Sequence, residues 1–160
     1  MFKKCFTWAA LFTMAFTLRA NPLQGAETQA EEPRPLSPSK WKVIGCQLNQ
    51  VWLPPAIFEQ FIYELVDEEH YQLQWGDLTF PKYLGGFPKS DQGSLKIDRT
   101  KTPIHIDLVP TSGPFAGKAF QGVLELDHDL LKVNFAFPGN ERPISFSAKQ
   151  GQVYEVWQRL

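Results

Sequence analysis

Three histidines, two acidic runs and a lone mid-chain cysteine are the residues best suited to chemistry in this chain. Brought together, His70, His105 and His128 could supply imidazoles to a metal ion. Their spacing matches no ligand motif, and His70 and His128 fall in apparent turns, so no metal is expected. His105 and Asp107 stand two apart on one strand face, where an acid/base pair is conceivable. The opposite face carries Ile104, Ile106 and Leu108, so His105 and Asp107 are expected on a solvated outer face. Glu125, Asp127 and Asp129 alternate, but a calcium loop wants more oxygen ligands and a glycine at its sharp turn. A hairpin turn accounts for Asp127 and Asp129 without an ion. Asp67, Glu68 and Glu69 read the same way, as a solvated turn. There is no glycine-rich phosphate loop, no serine in a nucleophile elbow and no Cys/His pair. No catalytic residue and no cofactor are therefore expected, and the chain reads as a non-enzyme.

The elements that would position these residues are mostly strands. Short apolar/polar alternations between Leu95 and Phe146 are cut at intervals by turn residues, the pattern of antiparallel strands on tight connections. Residues 41–48 look like a first strand, with Cys46 buried between Ile44 and Leu48. Pro54-Pro55 then opens a stretch with Ile57, Phe58, Phe61, Ile62 and Leu65 at helical spacing. This predicts one short helix over residues 55–66. Residues 61–66 also alternate and could form a strand. Tyr71, Leu73 and Trp75 alternate next, and residues 80–91 read as a long loop. The last third predicts four neighbouring strands: residues 120–126, 131–137, 144–146 and 153–159. Phe120, Phe135, Phe137 and Phe146 fall on the predicted inner faces.

Composition supplies an address. Lys3 and Lys4 precede an apolar stretch, residues 5–18, that is short for a bilayer span. Small residues follow, and residues 1–26 read as a secretory signal, with the protein periplasmic or extracellular. Removing Lys3, Lys4 and Arg19, and no acid, from 16 Lys+Arg and 17 Asp+Glu leaves a net charge of −4. That disfavours nucleic acid and anionic lipid surfaces as partners. No integral membrane span is expected after signal removal. Residues 27–39 are rich in proline and charge and read as a flexible tether. Residues 40–160 suit one domain with one core. Cys5 leaves with the signal, so Cys46 is unpaired and no internal disulfide can form.

The motifs of the domain resemble an uncharacterised bacterial family of extracytoplasmic lipocalin-like domains. The resemblance rests on Trp41; Leu95, Ile97 and Asp98; Thr100 and Pro103; and Ile106, Asp107 and Leu108. It continues through Gly122, Asp129, Leu131, Gly139, Arg142, Pro143 and Phe146. It implies a mainly β fold, a small antiparallel lipocalin-like barrel with one short helix. A two-sheet β-sandwich is the alternative, but the immunoglobulin Cys…Trp…Cys spacing is missing. The resemblance singles out the charged residues Asp98 and Arg142, each expected to tie a turn rather than hold a ligand. It also implies that Trp41, near the first strand, meets an arginine of the last strand, here Arg159, and closes one end of the barrel. Members of this family have no established activity. Two roles follow: a binding module that takes a small apolar molecule in its lumen, or a filled barrel serving as an envelope interaction module. The ligand candidates are Arg142, Asp98, Phe120, Phe135 and Phe146, and the partner is a small apolar molecule or an envelope protein.

Overall fold

The computed structural model describes residues 35–76 and 89–160, within a compact unit that runs from Glu32 to Leu160. The elements in chain order are β1 (Ser39–Leu48), β2 (Val51–Trp52), α1 (Pro55–Phe58), β3 (Ile62–Leu65) and β4 (His70–Gln74). They continue as β5 (Ser90–Asp98), β6 (Ile104–Pro110), β7 (Phe120–Asp127), β8 (Leu130–Ala136) and β9 (Gln152–Arg159). Strands pair antiparallel in the order β1-β3-β4-β5-β6-β7-β8-β9, and β9 returns to β1. Those eight strands form a closed barrel, and two-residue β2 extends from the end of β1. Closure leaves no long strand edge unpaired.

β1 serves both sides of the seam. Its first residues pair with β3, from Ser39↔Leu65 to Lys42↔Ile62, and nearly its whole length pairs with β9, from Trp41↔Arg159 to Leu48↔Val153. The β9 register shifts between Val43 and Gly45. A bulge of one residue switches which side chains point inward. Trp41 and Val43 are buried before it and Cys46 after it, while Ile44 is 45% exposed. Cys46 is thus buried as expected, but Ile44 does not share its face.

The helix is shorter than residues 55–66. It stops after Phe58, and Phe61, Tyr63 and Leu65 are buried at alternate positions as β3 passes between β1 and β4. Pairing on both sides satisfies the β3 backbone and overrides its helical spacing. β5 begins at Ser90, inside the stretch expected as loop; the rest of that stretch, through Pro88, lies outside the described residues.

The predicted strand at residues 144–146 does not form. Residues 137–151 instead make a strap across the outside of the barrel. Asn134, which is fully buried, donates from Nδ2 to the carbonyls of Ser145 (2.8 Å) and Ser147 (3.2 Å). Ala148 N–H donates to Gln47 Oε1 (3.1 Å), and Ala148 is fully buried. These side-chain bonds take the backbone groups that a ladder would otherwise use. Ile144, expected inside a strand, is 79% exposed.

One end of the barrel is plugged. Trp41 and Trp157 are fully buried there with Leu36, Leu65 and Leu131, and Tyr63 stacks on Trp157 at 3.9 Å between centroids. Leu36 lies in the stretch expected as a tether, so the folded part starts earlier than residue 40. Among the described residues, no helix is long and apolar enough to cross a membrane.

Candidate functional site

The barrel is hollow above the plug. A cavity of about 390 Å³ lies between the strands, within the range of small-molecule sites. Its walls are largely aromatic: Phe61, Tyr63, Tyr71, Trp75, Phe120, Phe135 and Phe137. Phe61 meets Trp75 edge-on at 5.2 Å, and Phe115 meets Phe120 at 5.1 Å. These pairs come from β3–β4 on one side and β6–β7 with its connecting loop on the other. They build opposite walls of the space. Gly122 makes room for the Phe135 ring, since a Cβ there would stand 2.5 Å from Phe135 Cδ1 and 2.8 Å from the Asn134 carbonyl.

One buried carboxyl faces this apolar space. Glu155 occupies the inward position between Val153 and Trp157 on β9, in register with Cys46 on β1 and Val133 on β8. It is 4% exposed. Its Oε2 accepts a hydrogen bond from Trp157 Nε1 at 2.7 Å, and its carboxyl accepts another from the Tyr63 hydroxyl. Burial pushes its pKa up from 4.5 to about 7, and the two hydrogen bonds oppose that rise without cancelling it. Burial, with the Glu155 charge second, also raises Tyr63 and Cys46 far above their ordinary values. The Cys46 thiol is therefore held protonated and is not poised as a nucleophile. Farther along the wall, Tyr71 Oη donates to Asp91 Oδ2 at 3.1 Å, and Ser112 Oγ donates to Asp91 Oδ1 at 3.0 Å. Burial and then Asp91 raise the Tyr71 phenol well above its ordinary range.

Of the residues expected at a ligand, Phe120 and Phe135 line the cavity. Phe146 does not; it sits half-buried on the outer strap, so three phenylalanines of the expected four face the lumen and space remains. Arg142 is also outside. Its Nη1 donates to the carbonyls of Gly122 (2.6 Å) and Ile106 (3.3 Å), and its Nη2 lies 2.7 Å from Asp107 Oδ1. It pins the strap to β6 and β7, and Asp107 is its counter-ion rather than a partner of His105. Asp98 Oδ1 accepts from Thr100 N (3.0 Å) and Thr100 Oγ1 (2.6 Å), which caps the β5–β6 turn and lowers the Asp98 pKa. Neither charged residue reaches the lumen.

At the plugged end, Arg159 Cζ stands 4.4 Å from the Trp41 ring centroid. Trp41 Nε1 donates to Ser39 Oγ at 2.6 Å, and both Arg159 Nη atoms donate to the Pro35 carbonyl at 3.2 Å. His70 pairs with Asp67 and His128 with Asp127, each on the surface, and among the described residues no three His, Cys, Asp or Glu side chains gather in metal-binding geometry.

Sequence reasoning passed over Glu155 and Tyr63. The signal for Glu155 was present: in Val153–Trp157 the alternation puts an acid on the same face as Val153 and Trp157. Tyr63 stands in the strand alternation of residues 61–66, the alternative to the helix, but nothing in that alternation gives it a role at a site. No protein-family profile, curated protein or solved structure gives a significant match to this chain.

Proposed function

We propose that this protein is an exported, non-enzymatic binding module that carries a small, mostly apolar molecule in its barrel. One observation carries the reading: an aromatic-walled cavity of about 390 Å³ inside a closed, plugged barrel. Sites of this kind recognise ligands by apolar contact and by a few polar groups placed among them. The polar groups at hand lack an activated nucleophile, since Cys46 is held protonated. The motif resemblance to extracytoplasmic lipocalin-like domains supports the same placement outside the cytoplasm.

The test uses the neutral apolar probe N-phenyl-1-naphthylamine and the purified mature protein. Its fluorescence should rise on binding, with one probe per chain by native mass spectrometry. Val153→Phe, which pushes a ring into the lumen, should weaken the probe by about tenfold or more. A barrel that gives no probe signal, or one whose signal ignores Val153→Phe, would put the binding elsewhere or nowhere. Sequencing the N-terminus of the exported protein should find a start between Asn21 and Glu27; Met1 retained on cytoplasmic protein would defeat the export reading.

A further inference from the structure

We propose that the lumen is built for an ammonium: its ligand is an apolar primary or secondary amine whose charged head docks on Glu155. The inference rests on the lumen being a binding site and adds the class of ligand.

Three observations point there. First, among the described residues the only carboxyls that line the cavity are Glu155 and Asp91, and no described lysine, arginine or histidine lines it. Among the described residues Glu155 has no cationic partner. Its partners, Trp157 Nε1 and the Tyr63 hydroxyl, are both neutral donors. A carboxylate has about four acceptor positions, so these two leave room for donors from a ligand. Second, Tyr63 lies beside the carboxyl, and Tyr71 and Phe135 share the same walls. Aromatic faces attract ammonium groups, most strongly where water is excluded. Third, a buried carboxyl without a counter-ion is costly, and as an acceptor for Trp157 and Tyr63 a glutamine would serve as well. An ammonium from the ligand supplies the missing charge. The same arrangement repels carboxylate ligands.

The groups facing Glu155 are Cys46 from β1 and Tyr63 from β3, with apolar Val133 from β8 and Trp157 on its own strand; Tyr71 from β4 and its acceptor Asp91 from β5 lie farther along the wall. Cys46, Tyr63 and Tyr71 stay protonated and neutral through mild pH. Glu155, with its value near 7, therefore sets the pH response. An alkylammonium, like a lysine side chain, keeps its proton to about pH 10. Amine affinity should thus rise with pH, by about tenfold between about pH 6 and about pH 8.5, while a neutral isostere stays flat.

The experiment displaces N-phenyl-1-naphthylamine with decylamine, decanol and decanoate, all below their aggregation limits. At about pH 8.5 decylamine should bind at least about tenfold tighter than decanol, and decanoate weakest. The gap between amine and alcohol should shrink at about pH 6. Glu155→Gln should abolish the gap by bringing decylamine down to the affinity of decanol in the same variant; were that variant not to fold, the pH and head-group comparison in the parent carries the test. Decanol binding as tightly as decylamine would overturn the ammonium proposal and leave the lumen as a site. An amine preference that survives in Glu155→Gln overturns it too. Failure of the probe and all three competitors to bind would bring down the lumen reading itself.

Discussion

Glu155 trades stability for a polar floor in an apolar cavity, and that trade has a measurable sign. Its pKa in the folded protein, about 7, stands above the ordinary 4.5 because burial penalises the charged form. Folding thus favours the neutral acid. The stabilisation is complete below about pH 4.5 and is lost as pH rises through about 7, on the order of 3 kcal/mol in all. Asp67 and Asp98 act in the opposite sense and lower down: their pKa values are depressed by backbone and side-chain hydrogen bonds, so their contribution disappears only in acid. Glu155→Gln keeps an acceptor for Trp157 Nε1 and carries no charge. It should melt above the parent at about pH 8 and close to it at about pH 5. Urea unfolding of both proteins across that range subtracts every other titrating group. Parallel pH profiles would mean that the carboxyl is in contact with water, and the account of the lumen floor would fail.

The elements show which parts of the sequence spoke plainly. β6 through β8 were legible because apolar residues alternate onto the inner face, as Ile104, Ile106 and Leu108 do against His105 and Asp107, even though Val123, Asn134 and Ala136 on the outer face are buried too. β3 was ambiguous because Phe61, Ile62 and Leu65 satisfy a helix while Phe61, Tyr63 and Leu65 satisfy a strand; only pairing with β1 and β4 decides. The bulge in β1 carries no local signature, so the inward turn from Val43 to Cys46 could not be read. The strap imitates a strand because Ile144 and Phe146 alternate, yet its backbone is held by side chains from β1 and β8. Arg142 is the clearest of these ties. Arg142→Met preserves the aliphatic stem but removes two carbonyl bonds and the contact with Asp107. It should cost about 2 kcal/mol of stability, seen in chemical denaturation, with lumen-probe affinity unchanged. A variant that melts like the parent but loses the probe would move Arg142 into the ligand site.

At the scale of the whole molecule, the barrel is a tube that must be stopped at one end to hold a ligand. The stopper draws on both ends of the domain: Trp41 from β1, Trp157 and Arg159 from β9, and the segment just before β1. Leu36 is 2% exposed, its carbonyl accepts the Ser39 hydroxyl, and the Pro35 carbonyl accepts both Nη atoms of Arg159. Burying a leucine is worth about 1.5–3 kcal/mol, and an arginine over an indole about 0.5–2 kcal/mol. Composition concealed this, because residues 27–39 are rich in proline and charge and look like a tether, yet Leu36 among them is buried in the plug. A chain that begins at Pro33 should therefore match one that begins at Glu27 in stability. One that begins at Lys40 loses Leu36, the acceptor for Trp41 Nε1 and the acceptor for Arg159 together. It should be less stable by at least about 2 kcal/mol in urea, with faster hydrogen exchange along the β1–β9 seam. Because the plug also seals the lumen floor, probe release should quicken in the same protein. Equal stability of the two truncations would show that residues 35–39 decorate the barrel and that Trp41 and Trp157 close it unaided.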